Sequence, residues 1–217
     1  ASMLFTGCSK KAESKVPDKL IVGTNAEFPP FEYMNDKKQP EGFDIAMIKE
    51  IGKRMGKKVE IKNMEFKSLI GAMESDSINA IIAGMTKTEK REKAVDFSDS
   101  YYTTNQAIIL KKDSKITKLA QLDGKKIGVQ EGTTGDLISS GDKFGDGKKA
   151  KVLVKGAKVK RFKKGVDAVM DLKNGSVDAV VIDELTANEF VKKNAKKLKI
   201  VIDSAGSEYY CIALTKG

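Results

Sequence analysis

Two similar stretches of sequence decide the fold: INAIIAG at residues 78–84 and VDAVVID at residues 177–183. Each is a short apolar run that follows a helical pattern, as a buried strand of a parallel sheet does, and each ends in a special residue, Gly84 or Asp183. Ligands of open parallel sheets bind beside the carboxyl ends of the strands. The sequence therefore predicts two α/β lobes whose strand ends, at residues 84–86 and at Asp183, face one shared crevice.

The residues around these stretches extend both lobes. In the first half, apolar runs alternate with helical patterns and predict strands at 20–24, 59–61 and 80–83 and helices at 43–55 and 66–74. The first helix is predicted from apolar residues four apart, Phe43, Met47, Ile51 and Met55, and from Gly56 as its end. The second half predicts strands at 126–130, 158–162, 177–182 and 199–202 and helices after Thr133, at 165–173 and at 184–194. This order is typical of parallel βαβ units.

We expect four segments along the chain. They are a signal remnant and lipoprotein tether at 1–18, lobe 1 at 19–102, lobe 2 at 103–206 and a return to lobe 1 at 207–217. The chain is expected to cross between the lobes at two polar stretches, near residues 100–104 and 204–209. Two crossings make a hinge, so the lobes form a clamp.

Composition excludes several classes of chemistry. The 217 residues are 40% apolar and 32% charged, with a mean hydropathy of −0.35, and no run approaches the roughly 20 apolar residues of a membrane span. The absence of histidine removes Ser-His-Asp and Cys-His catalysis and every zinc site that contains histidine. With Cys8 and Cys211 as the only cysteines, a disulfide framework and thiolate zinc clusters are also excluded. We expect no cofactor and no metal.

The formal net charge is +10, and of the 40 basic residues only Arg54, Arg91 and Arg161 are arginine. The lysines are scattered along the chain and aromatic residues make up 6% of it, whereas nucleic-acid readers concentrate arginine and stacking aromatics on one face. The pattern favours a solvated, lysine-rich surface and no nucleic-acid partner. It is also compatible with a position near an anionic membrane surface.

Further motifs carry a family resemblance. LIVGTNAEFPPFEY at 20–33, GFDI at 42–45, GMTKTEKR at 84–91 and VDFS at 95–98 occur in an order and spacing that resemble the polar amino-acid binding proteins of bacterial ABC importers, solute-binding protein family 3. The resemblance implies a two-lobed α/β fold of the periplasmic-binding-protein type II, with mostly parallel sheets and a hinged cleft. It also implies an extracytoplasmic protein that presents a free amino acid to a membrane permease.

The chain departs from the family pattern in three places. Ala46 stands where the family has an acidic residue, and Cys211, in the apolar run 210–214, stands where glycine is usual. Family members also continue beyond the position of Gly217 with about two helices that pack on the first lobe, so we expect those helices to be absent here. Cys211 is predicted to be a buried free thiol.

The first residues resemble a bacterial lipobox and its tether. LFTGC at 4–8 precedes a polar, charged segment at 9–15, although Phe5 stands where Leu is usual. The resemblance implies that Cys8 carries a lipid and holds the protein to the membrane, in the periplasm or at the cell surface. The alternative is a disordered tail with an incidental cysteine.

An amino acid enclosed in a cleft needs partners for both of its charges. Arg91 is the expected partner of the ligand carboxylate, because its planar fork makes two parallel hydrogen bonds and arginine is otherwise scarce in this chain. The alternative for Arg91 is a solvated helix residue. The Thr86 hydroxyl, the Gly84 backbone and the amides of Thr133 and Thr134 are expected to complete the anion shell.

The resemblance matches these same positions to carboxylate contacts and supplies further roles. It matches Asp183 to the contact of the ligand ammonium, and Phe28 and Phe66 to aromatic walls around the ligand side chain. As an alternative, either phenylalanine is an ordinary core residue. The complete set of expected ligand-binding residues is Asn25, Glu27, Phe28, Phe66, Gly84, Met85, Thr86, Arg91, Gln130, Thr133, Thr134 and Asp183.

The side-chain specificity has two readings. Glu27, with Glu131 near Gln130, favours a basic amino acid through ion pairing, whereas Asn25 and Gln130 suit an amide such as that of glutamine. A third reading is a cyclohexadienyl-dehydratase-like enzyme that uses Asp183 or Glu184 as a general acid. No further sequence feature recruits those carboxyl groups to catalysis, so we expect a binding protein and not an enzyme.

Overall fold

The computed structural model describes residues 17–141, 154–203 and 206–217. Its strands are β1 (Lys19–Thr24), β2 (Glu27–Phe28), β3 (Glu32–Met34), β4 (Pro40–Glu41), β5 (Lys58–Asn63), β6 (Ala80–Ile81), β7 (Val95–Thr104), β8 (Gln106–Lys111), β9 (Lys126–Gln130), β10 (Lys158–Phe162), β11 (Ala179–Asp183), β12 (Leu198–Ile202) and β13 (Glu208–Thr215). Its helices are α1 (Phe43–Arg54), α2 (Leu69–Glu74), α3 (Glu89–Glu92), α4 (Thr134–Ser140), α5 (Gly165–Asn174) and α6 (Glu184–Lys192), with short 3-10 turns at Phe66–Ser68 and Leu119–Leu122.

The strands form two five-stranded sheets and one small antiparallel sheet. The first sheet has the order β5-β1-β6-β13-β7, the second β10-β9-β11-β8-β12, and the small sheet β2-β3-β4. Strands β5, β1 and β6 are parallel, as are β10, β9 and β11, whereas β13 and β8 run antiparallel to their neighbours. The α/β fold agrees with the prediction from the two apolar stretches. In each sheet four strands share one direction, but because the fifth strand, β13 or β8, lies between them, only two of the four pairings are parallel.

Alternation along β1 explains why the first sheet is covered on both faces. Leu20 and Val22 pack with Ile48 of α1, while Ile21 lies against the cluster that contains Leu69 and Met73 of α2. Successive strand residues point to opposite faces, so a run of apolar residues implies two covered faces.

The apolar stripe predicted for α1 does not match its buried face. The buried residues of this helix include Ile45, Ile48 and Gly52, whereas Phe43 and Met55 are 53% and 46% exposed. A step of four residues overshoots one helical turn by about 40°, so Phe43 and Met55 differ in direction by about 120°. The prediction of the helix was correct, but its buried face follows Ile45, Ile48 and Gly52, which are three and four residues apart.

The first crossing between the sheets lies later than predicted. Residues 100–104 are not a loop but the end of β7, which pairs with β13 at the edge of the first sheet. Edge strands accept polar residues because one side faces solvent, and this explains why the stretch looked like a connection. Asn105 alone separates β7 from β8, which belongs to the second sheet.

The second crossing is shorter than predicted, because Glu208 and Tyr209 already belong to β13. Cys211 of the same strand is 1% exposed and has no disulfide partner among the described residues, in agreement with the expectation of a buried thiol. Cys8 and residues 1–16 of the expected tether lie outside the described residues. No helix within the described ranges is long and apolar enough to span a membrane.

Candidate functional site

The carboxyl ends of the parallel strands of both sheets meet at one narrow cavity. Its lining contains most of the predicted ligand-binding residues, namely Phe28, Phe66, Gly84, Thr86, Arg91, Gln130, Thr133, Thr134 and Asp183, together with Ala83. The cavity volume is about 10 Å³, which suits about one water molecule. An amino acid therefore requires the lining side chains or the lobes to move.

Arg91 lies on α3 and is almost completely buried at 7% exposure. Its Nη1 donates to the Thr86 carbonyl at 2.5 Å, and its Nη2 donates to the Gly132 carbonyl of the other lobe at 3.1 Å. The guanidinium carbon lies 5.3 Å from the centre of the Phe66 ring, within range of a cation–π contact. Burial lowers the pKa of Arg91 to about 10, so the group stays charged at neutral pH.

Two threonine hydroxyls near Arg91 converge on one carboxylate that the sequence did not indicate. Thr86 Oγ1 and Thr134 Oγ1 donate to Oε2 of Glu208 at 2.8 and 2.6 Å. The Thr133 hydroxyl is engaged differently: it donates to the Gln130 carbonyl at 2.8 Å and accepts from the Asp136 amide as the N-cap of α4. The Thr133 side chain therefore serves the helix start.

Asp183 ends β11 and is 4% exposed. Gln106 Nε2 donates to its Oδ1 at 2.9 Å, and the Tyr210 hydroxyl donates to its Oδ2. The pKa of Asp183 is raised to about 7: burial is the largest cause and the nearby carboxylate of Glu208 adds to it, while the two hydrogen bonds and Arg91 act in the opposite direction. An ammonium group placed beside Asp183 would compensate the buried charge.

Phe28 forms one wall of the cavity, and Gly84 is shaped to meet it. The Phe28 ring stacks on Phe31, with 6.4 Å between ring centres. Gly84 has φ +51°, and a Cβ there would lie 3.2 Å from the Phe28 ring and 3.3 Å from Tyr210. Its amide donates to Oδ2 of the buried Asp44 at 2.8 Å, which fixes this turn.

Three predicted residues do not line the cavity. The Met85 side chain is 1% exposed and packs in the core of the first lobe, because successive side chains after β6 point to opposite sides. Glu27 forms an ion pair with Lys164 at 2.7 Å, so its charge is already compensated by the lysine-rich surface. Asn25 donates to the Met64 carbonyl and accepts from Gln130 Nε2, both at 2.8 Å, and thus joins the two lobes.

Further ion pairs connect the lobes around the cleft. Lys67 lies 2.9 Å from Glu131, and Lys163 lies 2.6 Å from Glu65. With the Glu27–Lys164 pair, these contacts hold the lobes in a closed arrangement. Each of these ion pairs is partly exposed and is worth only about 1 kcal/mol or less, so they permit opening.

The sequence did not indicate Gln106, Glu208 and Tyr210, which meet the cavity residues from the hinge. Gln106 is a polar residue at the start of an apolar run, Glu208 precedes the apolar run 210–214 and Tyr210 is its first residue, which are weak signals. Glu208 and Tyr210 are placed by the pairing of β13 with β7, about a hundred residues earlier in the chain, and Gln106 by the pairing of β8 with β11, which sets it opposite Asp183. No local pattern reports these pairings.

Comparison with known proteins identifies the family of the chain. Residues 20–209 match the family model of the bacterial extracellular solute-binding proteins, family 3. The chain belongs to this family, whose members are solute-binding proteins rather than enzymes. The chain is therefore the solute-binding component of an amino-acid ABC transporter.

Individual relatives are similar over most of their length. The chain is 36% identical to the arginine-binding extracellular protein ArtP of Bacillus subtilis, over 93% of this chain and 75% of that protein. Its fold matches the arginine-bound, truncated ArgBP from T. maritima with a TM-score of 0.81 and 42% identity, over 92% of this chain and 89% of that one. An ancestral arginine-binding protein bound to glutamine matches with a TM-score of 0.82 and 42% identity, over 93% and 86%.

Proposed function

We propose that this chain binds a basic amino acid, arginine foremost, between its two lobes and presents it to the membrane permease of an ABC importer. The observation that carries the proposal is the pair of buried, opposite charges in the cleft, Arg91 at 7% and Asp183 at 4% exposure. Such a pair is complementary to the carboxylate and the ammonium of an amino acid. The arginine-binding relatives support the same class of ligand.

Each cavity residue has a role in this proposal. Arg91 and the hydroxyls of Thr86 and Thr134 receive the ligand carboxylate, and Asp183 receives the ammonium. The Gly84 amide, expected in the anion shell, donates to Asp44 instead, and the Thr133 amide donates to the Gln130 carbonyl. Phe28 and Phe66 enclose the aliphatic part of the ligand side chain.

The far end of the ligand is assigned to Gln130. Its Oε1 is buried and has no hydrogen-bond partner among the described residues. An unpaired buried acceptor costs about 1–3 kcal/mol, which an N–H donor of the ligand would recover. Because Glu27 is paired with Lys164, this acceptor carries more of the argument for the ligand side chain than the charge of Glu27 does.

Glutamine is the second candidate ligand. Its side-chain amide also supplies N–H donors for Gln130, and a similar ancestral protein has been seen with glutamine bound. A thermal-shift series with arginine, lysine, histidine, ornithine, citrulline and glutamine separates the two readings, because the stabilisation grows as RT ln(1 + [L]/Kd). The largest shift is expected from arginine; a larger shift from glutamine would overturn the basic-ligand proposal.

The lobe assignment and the membrane tether belong to the same proposal. With the expected boundary at 102 moved to the end of β7, lobe 1 comprises 19–104 with a return at 208–217, and lobe 2 lies between these two segments. Closure turns about Asn105 and about the connection that leads into β13. Cys8 carries the lipid that keeps the protein at the membrane. In cells that make the protein with its full leader, Cys8→Ala should move it from the membrane fraction to the fluid fraction; unchanged partitioning would contradict the tether.

A further inference from the structure

Glu208 is the first residue of β13 and lies opposite Thr104 of β7, at the hinge. Its Oε2 accepts from the hydroxyl of Thr86, which follows β6 of the first lobe, and from the hydroxyl of Thr134, which opens α4 of the second lobe. One carboxylate oxygen therefore connects the two lobes inside the cleft. The same two hydroxyls are assigned to the ligand carboxylate in the proposed function.

The protons of these hydroxyls cannot serve two carboxylates at once. A threonine hydroxyl has a single proton to donate. Thr134 Oγ1 accepts from Gln106 Nε2 at 3.2 Å, so its own proton is directed at Glu208. A ligand carboxylate that uses either hydroxyl must take it from Glu208.

The Glu208 carboxylate interacts electrostatically with both buried ionisable groups of the cleft, Arg91 and Asp183. Burial lowers the pKa of Arg91, and the nearby Glu208 carboxylate raises it, which favours the charged guanidinium. The same carboxylate also raises the pKa of Asp183, which burial has already raised. A ligand carboxylate beside Asp183 and Glu208 would be the third carboxylate at a site with one buried arginine.

From these contacts we infer that Glu208 is an affinity-setting residue whose carboxylate occupies the subsite of the ligand's α-carboxylate and must leave it when an amino acid binds. The inference rests on the proposed function. The cavity of about 10 Å³ agrees with it, because the subsite is filled by the chain itself. Glu208 is half-buried, and the neighbouring Gly206 and Ser207 are exposed, so the side chain has solvent on one side into which it can turn.

The test is a calorimetric titration of arginine and of glutamine into four proteins: the unmutated chain, Glu208→Gln, Glu208→Ala and the control Glu74→Gln. Glu74 is exposed at the end of α2, so its substitution removes the same charge from the first lobe away from the cleft. Both Glu208 variants should bind more tightly, Glu208→Ala by about tenfold, while Glu74→Gln leaves the affinity unchanged. The factor should be the same for arginine and glutamine, because the two ligands share the α-carboxylate.

The outcomes separate the inference from the proposed function. If neither ligand binds the unmutated protein, the proposed function fails. If a ligand binds and the Glu208 variants bind it equally or more weakly, then Glu208 does not compete with the ligand and the inference is wrong. A loss for arginine alone would instead assign Glu208 to the basic side chain. Small-angle scattering of the ligand-free Glu208→Ala variant should show a larger radius of gyration, which a merely local packing role would not produce.

Discussion

Arg91→Lys tests the carboxylate site most sharply, because the substitution keeps the positive charge and removes the two-pronged guanidinium group. In the structure the two terminal nitrogens donate to the carbonyls of Thr86 and Gly132, one on each lobe, and the plane lies over Phe66. A single ammonium cannot reproduce two parallel bonds, and a hydrogen bond that involves a charged group is worth about 1.5–3 kcal/mol. The loss of one such bond predicts an affinity for arginine about 10- to 150-fold weaker.

The assay is calorimetric titration, with thermal melting to establish that the variant folds. Arg54→Lys is the matched control, because Arg54 is exposed on α1 and pairs with Glu50 of the same helix. Its affinity should equal that of the unmutated protein. An unchanged affinity in Arg91→Lys would remove Arg91 from the ligand site and with it the assignment of the anion shell.

Three further predictions concern protonation and packing. The ligand ammonium needs ionised Asp183, whose pKa is raised to about 7, so the affinity should fall as the pH drops below about 7. Binding should also release a proton, which calorimetry in buffers of different ionisation enthalpy measures. A pH-independent affinity would contradict this prediction. Burial, and then Asp44, raise the pKa of Glu32, so its contribution to stability is lost as the pH rises above the unfolded value of about 4 toward the raised pKa of the folded state. Glu32→Gln should therefore flatten the fall in melting temperature as the pH is raised from about 5; equal slopes would refute this. Gly84→Ala should cost about 1–3 kcal/mol in urea unfolding because of its positive φ and the nearby ring, whereas Gly71→Ala, with open space at its Cβ position in α2, should stabilise by about 0.5–1 kcal/mol; equal effects would contradict the reading of Gly84.

Much of the fold was predictable because each lobe is built from local signals. Apolar runs such as that of β11 are long enough to show a strand with both faces covered, and Gly175 and Gly56 mark helix ends by the positive φ that they adopt. The edge strand β7 escaped prediction because its exposed side carries polar residues, which in sequence look like a connection.

A site residue was predictable where its residue type is scarce in the chain and suits one chemical role. A scarce arginine in a lysine-rich chain pointed to Arg91, and the structure buries it in the cleft. Glu27 could not be assigned from sequence, because its partner Lys164 comes from the other lobe. Glu208 was missed for the same reason: a glutamate in a polar stretch meets Thr86 and Thr134 only when β13 returns to the first sheet.

The central claim is that the cleft holds the two charges of an amino acid between Arg91 and Asp183, with a basic side chain preferred. Its most direct test is a titration of arginine and glutamine into the unmutated protein and into Asp183→Asn, freed of any ligand acquired in expression. We expect one saturable site, tighter for arginine than for glutamine, and a loss of both affinities in Asp183→Asn. No binding of either amino acid, or an undiminished affinity in Asp183→Asn, would contradict the account.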